Sequence, residues 1–454
     1  MATKTTQSQQ YKITKATITA DRFGGLDGER LDVRPSVAEF SVFESLDKPY
    51  LTGHVVILDD KALFDTMNFQ GTERISIELA SVDNDLNTVF SRTFIMTGIE
   101  DQVKTNDNAK SSIYSFTLLD EHAYLSALKK ISKSFNGRID EIMIKLLATE
   151  MKLDIDTSYL SMPDGKESVP MQTNMRGIIP NLSPIDAIKW LRDRATTITG
   201  SPFFVYASMH DDNLRLGNLD SMLAQNAWNT KLPYTYNPSN ISTAEGQTEF
   251  ERTFTIKAIN QSKSANTLRL IQQGAVGAAM NNTNLNTGLV SKSHHSIRDV
   301  LKRLEDQSVI GSNQNVFDPM FKVGETLVDE YDSLNIHTVT STGTYGRKKS
   351  YHDEYELNHL KKKLENKAIL NHMYKNMMNV LVEGAGFIVA KAGVGDIVNL
   401  QVVNDNIETS RTASENDLID KAKSGDFIIY DTRHTFAGTQ HSVSMNLCKL
   451  ERLS

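Results

Sequence analysis

Cysteine is almost missing from this chain: among 454 residues only Cys448 occurs. An intrachain disulfide framework and a cysteine-built zinc site are thereby excluded. No stretch of ~18 apolar residues exists to form a membrane-spanning helix. Aromatic residues make up 7% and tryptophan is confined to Trp190 and Trp228, which is thin material for the stacking platforms of a carbohydrate-binding protein. Positive charge is in deficit as well, 49 Lys and Arg against 56 Asp and Glu, for a net charge of −7. A sequence-specific nucleic-acid binder that grips phosphates through a basic face is argued against. The first ten residues lack the apolar core of a signal peptide, so the expected site of synthesis and use is a cytoplasm or a particle assembled there.

What is present is ordinary core material, 39% hydrophobic and 23% charged. At this length it suffices for about three or four packed units. The first ~120 residues alternate with the period of strands over 37–43, 54–58, 74–79, 93–99 and 112–118. Ile75, Ile77 and Leu79 point one way while Arg74, Ser76 and Glu78 point the other, the mark of a sheet with one wet face. One short helix is expected between them, with Asp59 and Asp60 as N-cap candidates, Leu63, Phe64 and Met67 as its apolar stripe, and Gly71 closing the connection. Five antiparallel strands under one helix close more economically into a small barrel than they stand with bare edges.

From about Asp120 the apolar period becomes helical. Ile139, Ile142, Met143, Leu146 and Leu147 draw one stripe, and Ser183-Pro184-Ile185-Asp186 announces a helix start with Ser183 as N-cap, Pro184 at N1 and Asp186 reaching back. Strands are expected at 203–207 and 214–217, around the turn His210-Asp211-Asp212-Asn213. Strand character returns over 250–259, then helical spacing over 265–271 before Gly274-Ala275-Val276-Gly277. Residues 296–304 and 355–378 look helical and 336–340 extended. The tail returns to strands at 396–402, 426–436 and 441–450, with the polar, acidic segment 404–424 as an exposed loop. The expected fold class is therefore α+β, mainly β: two similar small antiparallel β-barrels with two inserted or appended α+β lobes. Residues 1–122 form the first barrel, 123–239 an α+β lobe, 240–290 with 380–454 the second barrel, and 291–379 a helix-rich inserted lobe.

Motifs for chemistry are weak. The Gly274–Gly277 turn lacks the third glycine and the helix start of a phosphate cradle, and no Walker sequence or Gly-x-Ser-x-Gly elbow occurs. Adjacent His294 and His295 converge poorly on one ion, and His352 and His359 would stand two helical turns apart. Both groups read as solvated surface, as does the run Lys361-Lys362-Lys363. No cofactor, metal site or catalytic residue is expected.

Four stretches carry a family resemblance. Leu51-Thr52-Gly53-His54-Val55-Val56-Ile57-Leu58-Asp59-Asp60, with 63–67 and Gly71-Thr72-Glu73-Arg74, gives strand, short helix, glycine turn and strand. Ser115-Phe116-Thr117-Leu118-Leu119-Asp120-Glu121 leads to Ile131-Ser132-Lys133-Ser134-Phe135-Asn136-Gly137. Leu182-Ser183-Pro184-Ile185-Asp186-Ala187-Ile188 is followed by Ser201-Pro202-Phe203-Phe204, and Gly395-Asp396-Ile397-Val398-Asn399-Leu400 by Gly425-Asp426-Phe427-Ile428-Ile429-Tyr430 and Arg433-His434-Thr435-Phe436. In this order they resemble the baseplate hub proteins of contractile-tailed bacteriophages, related in fold to the hub part of type VI secretion spikes. Segments 306–349 and 404–424 have no counterpart in that pattern.

The resemblance implies a homotrimer in which each chain supplies two tube-type barrels to a pseudo-sixfold ring. Such a ring joins a hexameric tail tube, or a tube-initiator ring, to a trimeric spike protein, touches the baseplate wedge proteins and surrounds the DNA passage. The implied place is the virion tail baseplate, assembled in the host bacterial cytoplasm. The competing reading is a tail-associated enzyme acting on polysaccharide or peptidoglycan. Interface candidates are Phe427, Ile429, Tyr430 and Phe436 in the C-terminal hairpin, with Leu63, Phe64 and Met67 in the short helix. Because Phe427 and Ile429 lie opposite Ile428 and Tyr430, that hairpin is expected to be covered on both faces, by its own barrel core and by a neighbouring subunit or the helix-rich insert.

Overall fold

Strand alternation builds the first unit of the computed structural model, which describes residues 11–20, 29–60, 64, 69–81, 88–104, 112–160, 174–197, 199–236, 253–261, 267–285, 287–306, 322–340, 355–375, 377–403, 419–420 and 423–448. Its strands are β1 (Tyr11–Ala20), β2 (Glu29–Asp32), β3 (Val37–Ser45), β4 (Thr52–Asp59), β5 (Arg74–Ser81), β6 (Thr88–Lys104) and β7 (Ser112–Asp120). They lie in the order β3-β4-β7-β6-β5-β1-β2, each pair antiparallel. Ile75, Ile77 and Leu79 are buried with Ile18, Phe40, Phe94 and Phe116, as their parity requires. Of the expected short helix, Leu63 and Met67 lie outside the described residues. Phe64 is buried, its ring 4.9 Å from Tyr114 and 4.8 Å from Phe116.

A first lobe follows: α1 (Glu121–Ala127), β8 (Ser134–Arg138), α2 (Ile139–Leu146), β9 (Ile155–Asp156), β10 (Asn174–Ile178), α3 (Pro184–Arg192), β11 (Phe203–Ala207), β12 (Leu214–Asn218) and α4 (Leu219–Leu223). Ser183 caps α3 as expected. The Ser183 hydroxyl accepts from the Asp186 N–H at 3.2 Å and donates to the Asp186 carboxylate at 2.6 Å. Met143, Ile188, Leu191 and Phe203 join the apolar cluster of the first unit, so lobe and sheet share one core.

Next come β13 (Tyr234–Tyr236), β14 (Ala258–Gln261), α5 (Thr267–Gln272), β15 (Gly277–Asn284), β16 (Val290–Ser296), α6 (Ile297–Asp306), β17 (Lys322–Val323), β18 (Thr326–Leu327), β19 (Asn335–Thr340) and α7 (Tyr355–Lys375). The chain ends its described part with β20 (Met378–Glu383), α8 (Ala385–Ala390), β21 (Ile397–Val402), β22 (Gly425–Ala437) and β23 (Gln440–Cys448). β14-β20-β23-β22 continue directly into β3, while β21 and β13 branch from the start of β22. The protein is mainly β, and thirteen strands belong to this one sheet.

Among the described residues no ladder closes into a barrel, and one domain expectation needs correction. The edges that closure would have paired are instead satisfied across the halves, Asp431–Ala437 of β22 lying against Glu39–Ser45 of β3. Residues 277–284, expected in the second barrel, form the centre of a separate sheet, β16-β15-β19. There Gly277 carries no side chain because a Cβ would stand 2.5 Å from the Asp329 carbonyl oxygen and 2.7 Å from that of Tyr331.

The C-terminal hairpin is covered on both faces, and by its own chain. Ile428 and Tyr430 pack with Leu46 of the first unit and with Phe204, Met222, Leu304 and Met373 from the two lobes. Phe427 and Ile429 pack with Val380, Phe387, Val398 and Met445. A bulge between Ile429 and Asp431 in the pairing with β23 then resets the parity, so that Thr432, His434 and Phe436 are inside and Arg433 is outside. Because Ile429 is 0% exposed and Leu58 is 44% exposed, Ile429→Ala is expected to cost ~3 kcal/mol and Leu58→Ala less than ~1 kcal/mol. Urea unfolding followed by circular dichroism checks this; equal losses would place Ile429 at the surface.

Candidate functional site

The outer face of the shared sheet carries short polar side chains that bond to one another from strand to strand. On β3 and β22 the Ser41 and Thr435 hydroxyls meet at 3.2 Å, and Arg433 reaches Glu39 at 3.3 Å with its guanidinium 5.4 Å over the Phe43 ring. On β20 and β23 the Asn379 amide donates to the Ser444 hydroxyl at 3.0 Å and to the Asn446 carbonyl oxygen at 2.9 Å. On β4 and β7 His54 pairs with the Ser115 hydroxyl at 2.5 Å and lies 3.3 Å from Glu100 of β6. A cleft of about 650 Å³ opens on this face at the seam of the halves, lined among others by Ser45, Asp47, Lys48, Thr52, Asp431 and Asn446.

Behind the cleft a buried polar joint connects three parts of the molecule. Its centre is the turn Ser208–Asn213, shaped by its own side chains: Ser208 Oγ accepts from the His210 N–H at 3.3 Å and Asp211 Oδ1 from the Asn213 N–H at 3.2 Å. From the first unit Glu44 accepts the Met209 N–H at 2.6 Å, and Arg92 donates to the Ser208 carbonyl at 2.8 Å and to that of Asp211 while pairing with Asp212 at 2.7 Å. From the second half the Ala392 carbonyl meets His210 Nε2 at 2.8 Å. Within the lobe Arg215 bonds Asp211 at 2.8 Å and the Tyr159 hydroxyl at 3.0 Å, and Tyr159 faces Asp396 at 3.5 Å.

Glu44 is wholly enclosed. Burial alone would raise its pKa, but His434 beside it at 3.6 Å, with His210 and the Thr432 hydroxyl at 2.7 Å, holds it down to about 2. Asp396 goes the other way. Burial pushes it up to about 6, the Glu44 charge adding to the rise against the Gly393 N–H and Arg215. Tyr159 is pushed up to about 12 by burial and by Asp396. The Cys448 thiol is also raised by burial, which removes it as a nucleophile.

The second lobe fastens to the first through α6 and α7. The Asn366 amide donates to the Asp193 and Ala195 carbonyls at 3.0 and 2.9 Å, and Arg303 bonds the Thr199 carbonyl at 3.1 Å and Glu365 at 2.9 Å. Two surface readings fail here. Lys362 is only 5% exposed, and burial lowers its pKa to about 8. His295 is buried, whereas its neighbour His294 is half-exposed and bonds Asp332 at 2.9 Å. His352 lies outside the described residues.

All described interface candidates, Phe64, Phe427, Ile429, Tyr430 and Phe436, are buried inside the chain itself. Among the described residues no three His, Cys, Asp or Glu side chains converge as metal ligands. The sequence reading missed the Ser208–Asn213 joint, taking its residues as ordinary turn chemistry. The available signal was the density of polar residues in Ser208, His210, Asp211, Asp212 and Asn213 directly after an all-apolar strand.

No protein-family model matches the chain, and no curated protein matches it. In shape it is similar to the tail protein from Neisseria meningitidis MC58, at 11% identity, with 97% of this chain and 96% of that one covered and a TM-score of 0.47. It is similar also to the 43 kDa tail protein of prophage MuSo2 from Shewanella oneidensis, at 9% identity, 96% and 98% coverage and a TM-score of 0.49. A third is the c3393 protein of E. coli, a type VI secretion component, at 8% identity, 92% and 76% coverage and a TM-score of 0.40. These neighbours are two tail proteins and a type VI secretion component.

The joint predicts a measurable pH effect. A carboxyl whose pKa rises on folding favours the protonated native state, so Asp396 subtracts stability as pH climbs from its unfolded value near 3.8 through about 6. Replacing it by Asn keeps an acceptor for Gly393 and removes the charge. Asp396→Asn is expected to gain up to ~3 kcal/mol on the parent between pH 4 and pH 7. Denaturant titrations at both pH values check this, and a variant that tracks the parent would show that Asp396 stays ionised at no cost.

Proposed function

We propose that the chain is a structural hub of a phage-type tail baseplate, a homotrimer forming a pseudo-sixfold ring between a hexameric tail tube, or its initiator ring, and a trimeric spike. The observation that carries this reading is the single sheet that runs from β14 through β22 and β3 to β2. One side of it is sealed by apolar cores, and the other carries, across β3–β22 and β20–β23, short polar groups bonded to one another. A polar stretch of this kind suits the wall of a passage, because hydroxyl and amide groups keep water without holding phosphate as a basic stripe does.

Each half is read as a small barrel closed by a bend instead of a ladder. In the first, the Val33 N–H bonds the Ala16 carbonyl at 2.9 Å, so the chain that edges β1 as β2 turns directly into β3. In the second, Thr235 of β13 exchanges bonds with Phe254 and Ile256, and Lys257 then bonds Leu381 of β20. Three copies of a chain with two such halves supply six wall segments, which is how a trimer meets sixfold symmetry. The lobes are the parts that reach the wedge proteins. The reading places the ring in the virion tail baseplate, assembled in the host bacterial cytoplasm, with DNA passing through unread, and it contains no catalytic step.

Size-exclusion chromatography with light scattering tests the assembly. Three chains of 50.8 kDa are expected to run together as a particle of about 150 kDa. A 50.8 kDa monomer that turns over peptidoglycan would replace this reading with the enzyme.

A further inference from the structure

Beneath the seam two histidines share one gap. His434 Nδ1 of β22 and His441 Nε2 of β23 stand 3.1 Å apart, both side chains almost wholly buried, with the His441 ring stacked on Phe436 at 4.2 Å and 8°. The far side of each ring is closed. His434 Nε2 lies 3.6 Å from the Glu44 carboxylate, and His441 Nδ1 has no hydrogen-bond partner among the described residues. Gly384 presses on that nitrogen so closely that even a methyl group there would overlap the ring, which leaves no place for water. The gap therefore holds one proton, donated by either ring to the other. A second proton would set N–H against N–H in a dry site.

We infer that this histidine pair makes the seam an acid-sensitive joint, in which a second proton drives apart the contacts that Glu44, His434 and His441 maintain among β3, the C-terminal hairpin and the Ser208–Asn213 turn. The groups facing the pair are Glu44 from β3, Tyr11 from β1 with its ring 5.3 Å from His441, and His210 from the turn. Arg215 and Asp396 stand in the next layer.

The signs agree for three of these groups. Burial, with His434 and His210 alongside, lowers the pKa of His441 well below its usual value, and burial lowers His210 too. The unfolded chain then binds protons below pH 6.5 that the native joint refuses, so stability falls as pH drops through that value. Glu44, held at about 2, adds a further loss below pH 4.5. Asp396 opposes them, since its raised pKa returns stability as pH falls through about 6.

Hydrogen exchange on the full chain tests the joint. Between pH 7.5 and 5.5, protection factors corrected for intrinsic exchange are expected to fall about tenfold for each histidine that must charge. The loss is expected at the Met209 amide and along the β3–β22 ladder, with the β5–β6 ladder unchanged. His441→Gln, which still offers His434 an acceptor but cannot take a proton, is expected to lose less protection than the parent over the same interval. The inference is overturned if the parent keeps its protection at Met209 and β22 at pH 5.5, if β5–β6 loses as much, or if His441→Gln follows the parent. The parent measurement decides alone should the variant not fold.

Discussion

Seven backbone pairs between β3 and β22 join the two halves into one sheet. A sheet edge exposes a row of unpaired donors and acceptors, and each half of this chain would bare one at the seam. Pairing the two edges removes both liabilities at once and makes the halves a single wall. The wall then dictates where everything else can sit. The start of β22 still pairs with β21, so one strand serves two neighbours along the same edge, and the bulge after Ile429 reconciles the two parities. Covering the strand falls on one side to the lobes, whose apolar faces meet Ile428 and Tyr430, and on the other to the core of the second half around Phe427 and Ile429.

A wall built from opposite ends of the sequence needs its register fixed. Apolar pairing fixes it modestly, since Val, Phe and Ile tolerate one another's places. Glu44 fixes it far more sharply, because a carboxylate without water costs several kcal/mol unless its partners arrive together. Those partners are Met209 from the lobe and Thr432 and His434 from β22. A slip of one residue along β22 would remove two of the three. The carboxylate works here as a gauge of alignment more than as a source of stability.

Most strands and helices were legible from periodicity, because one-sided burial writes itself into every second or every third and fourth residue. The start of the helix Pro184–Arg192 was legible to the residue, since its cap chemistry is local. What could not be read was pairing between distant segments. Gly277–Asn284 lacks the alternation of a strand, and its pairing with Val290–Ser296 and Asn335–Thr340 is what assigns it to a separate sheet. The same holds for closure: the strands of a barrel and of an open wall read alike, and the difference lies in which edge meets which. Lys362 and His295 were read as surface because polar residues usually are; their burial depends on helices that arrive from elsewhere. Glu44 sits on a strand whose other inward residues are Phe40 and Val42, and that break in an apolar row was the local hint of the joint.

The shared strand also sets an order of events during synthesis. The first unit and its lobe form a continuous stretch of chain and share one core, so they can collapse as soon as residues up to about 230 have left the ribosome. β3 then waits with one bare edge, since its partner lies almost 400 residues further on. Throughout that interval the half-made molecule displays an ordered strand edge that any extended segment could occupy, a second nascent copy included. The charged Glu39 on that strand, later neutralised by Arg433, is well placed to discourage such company until the proper partner emerges.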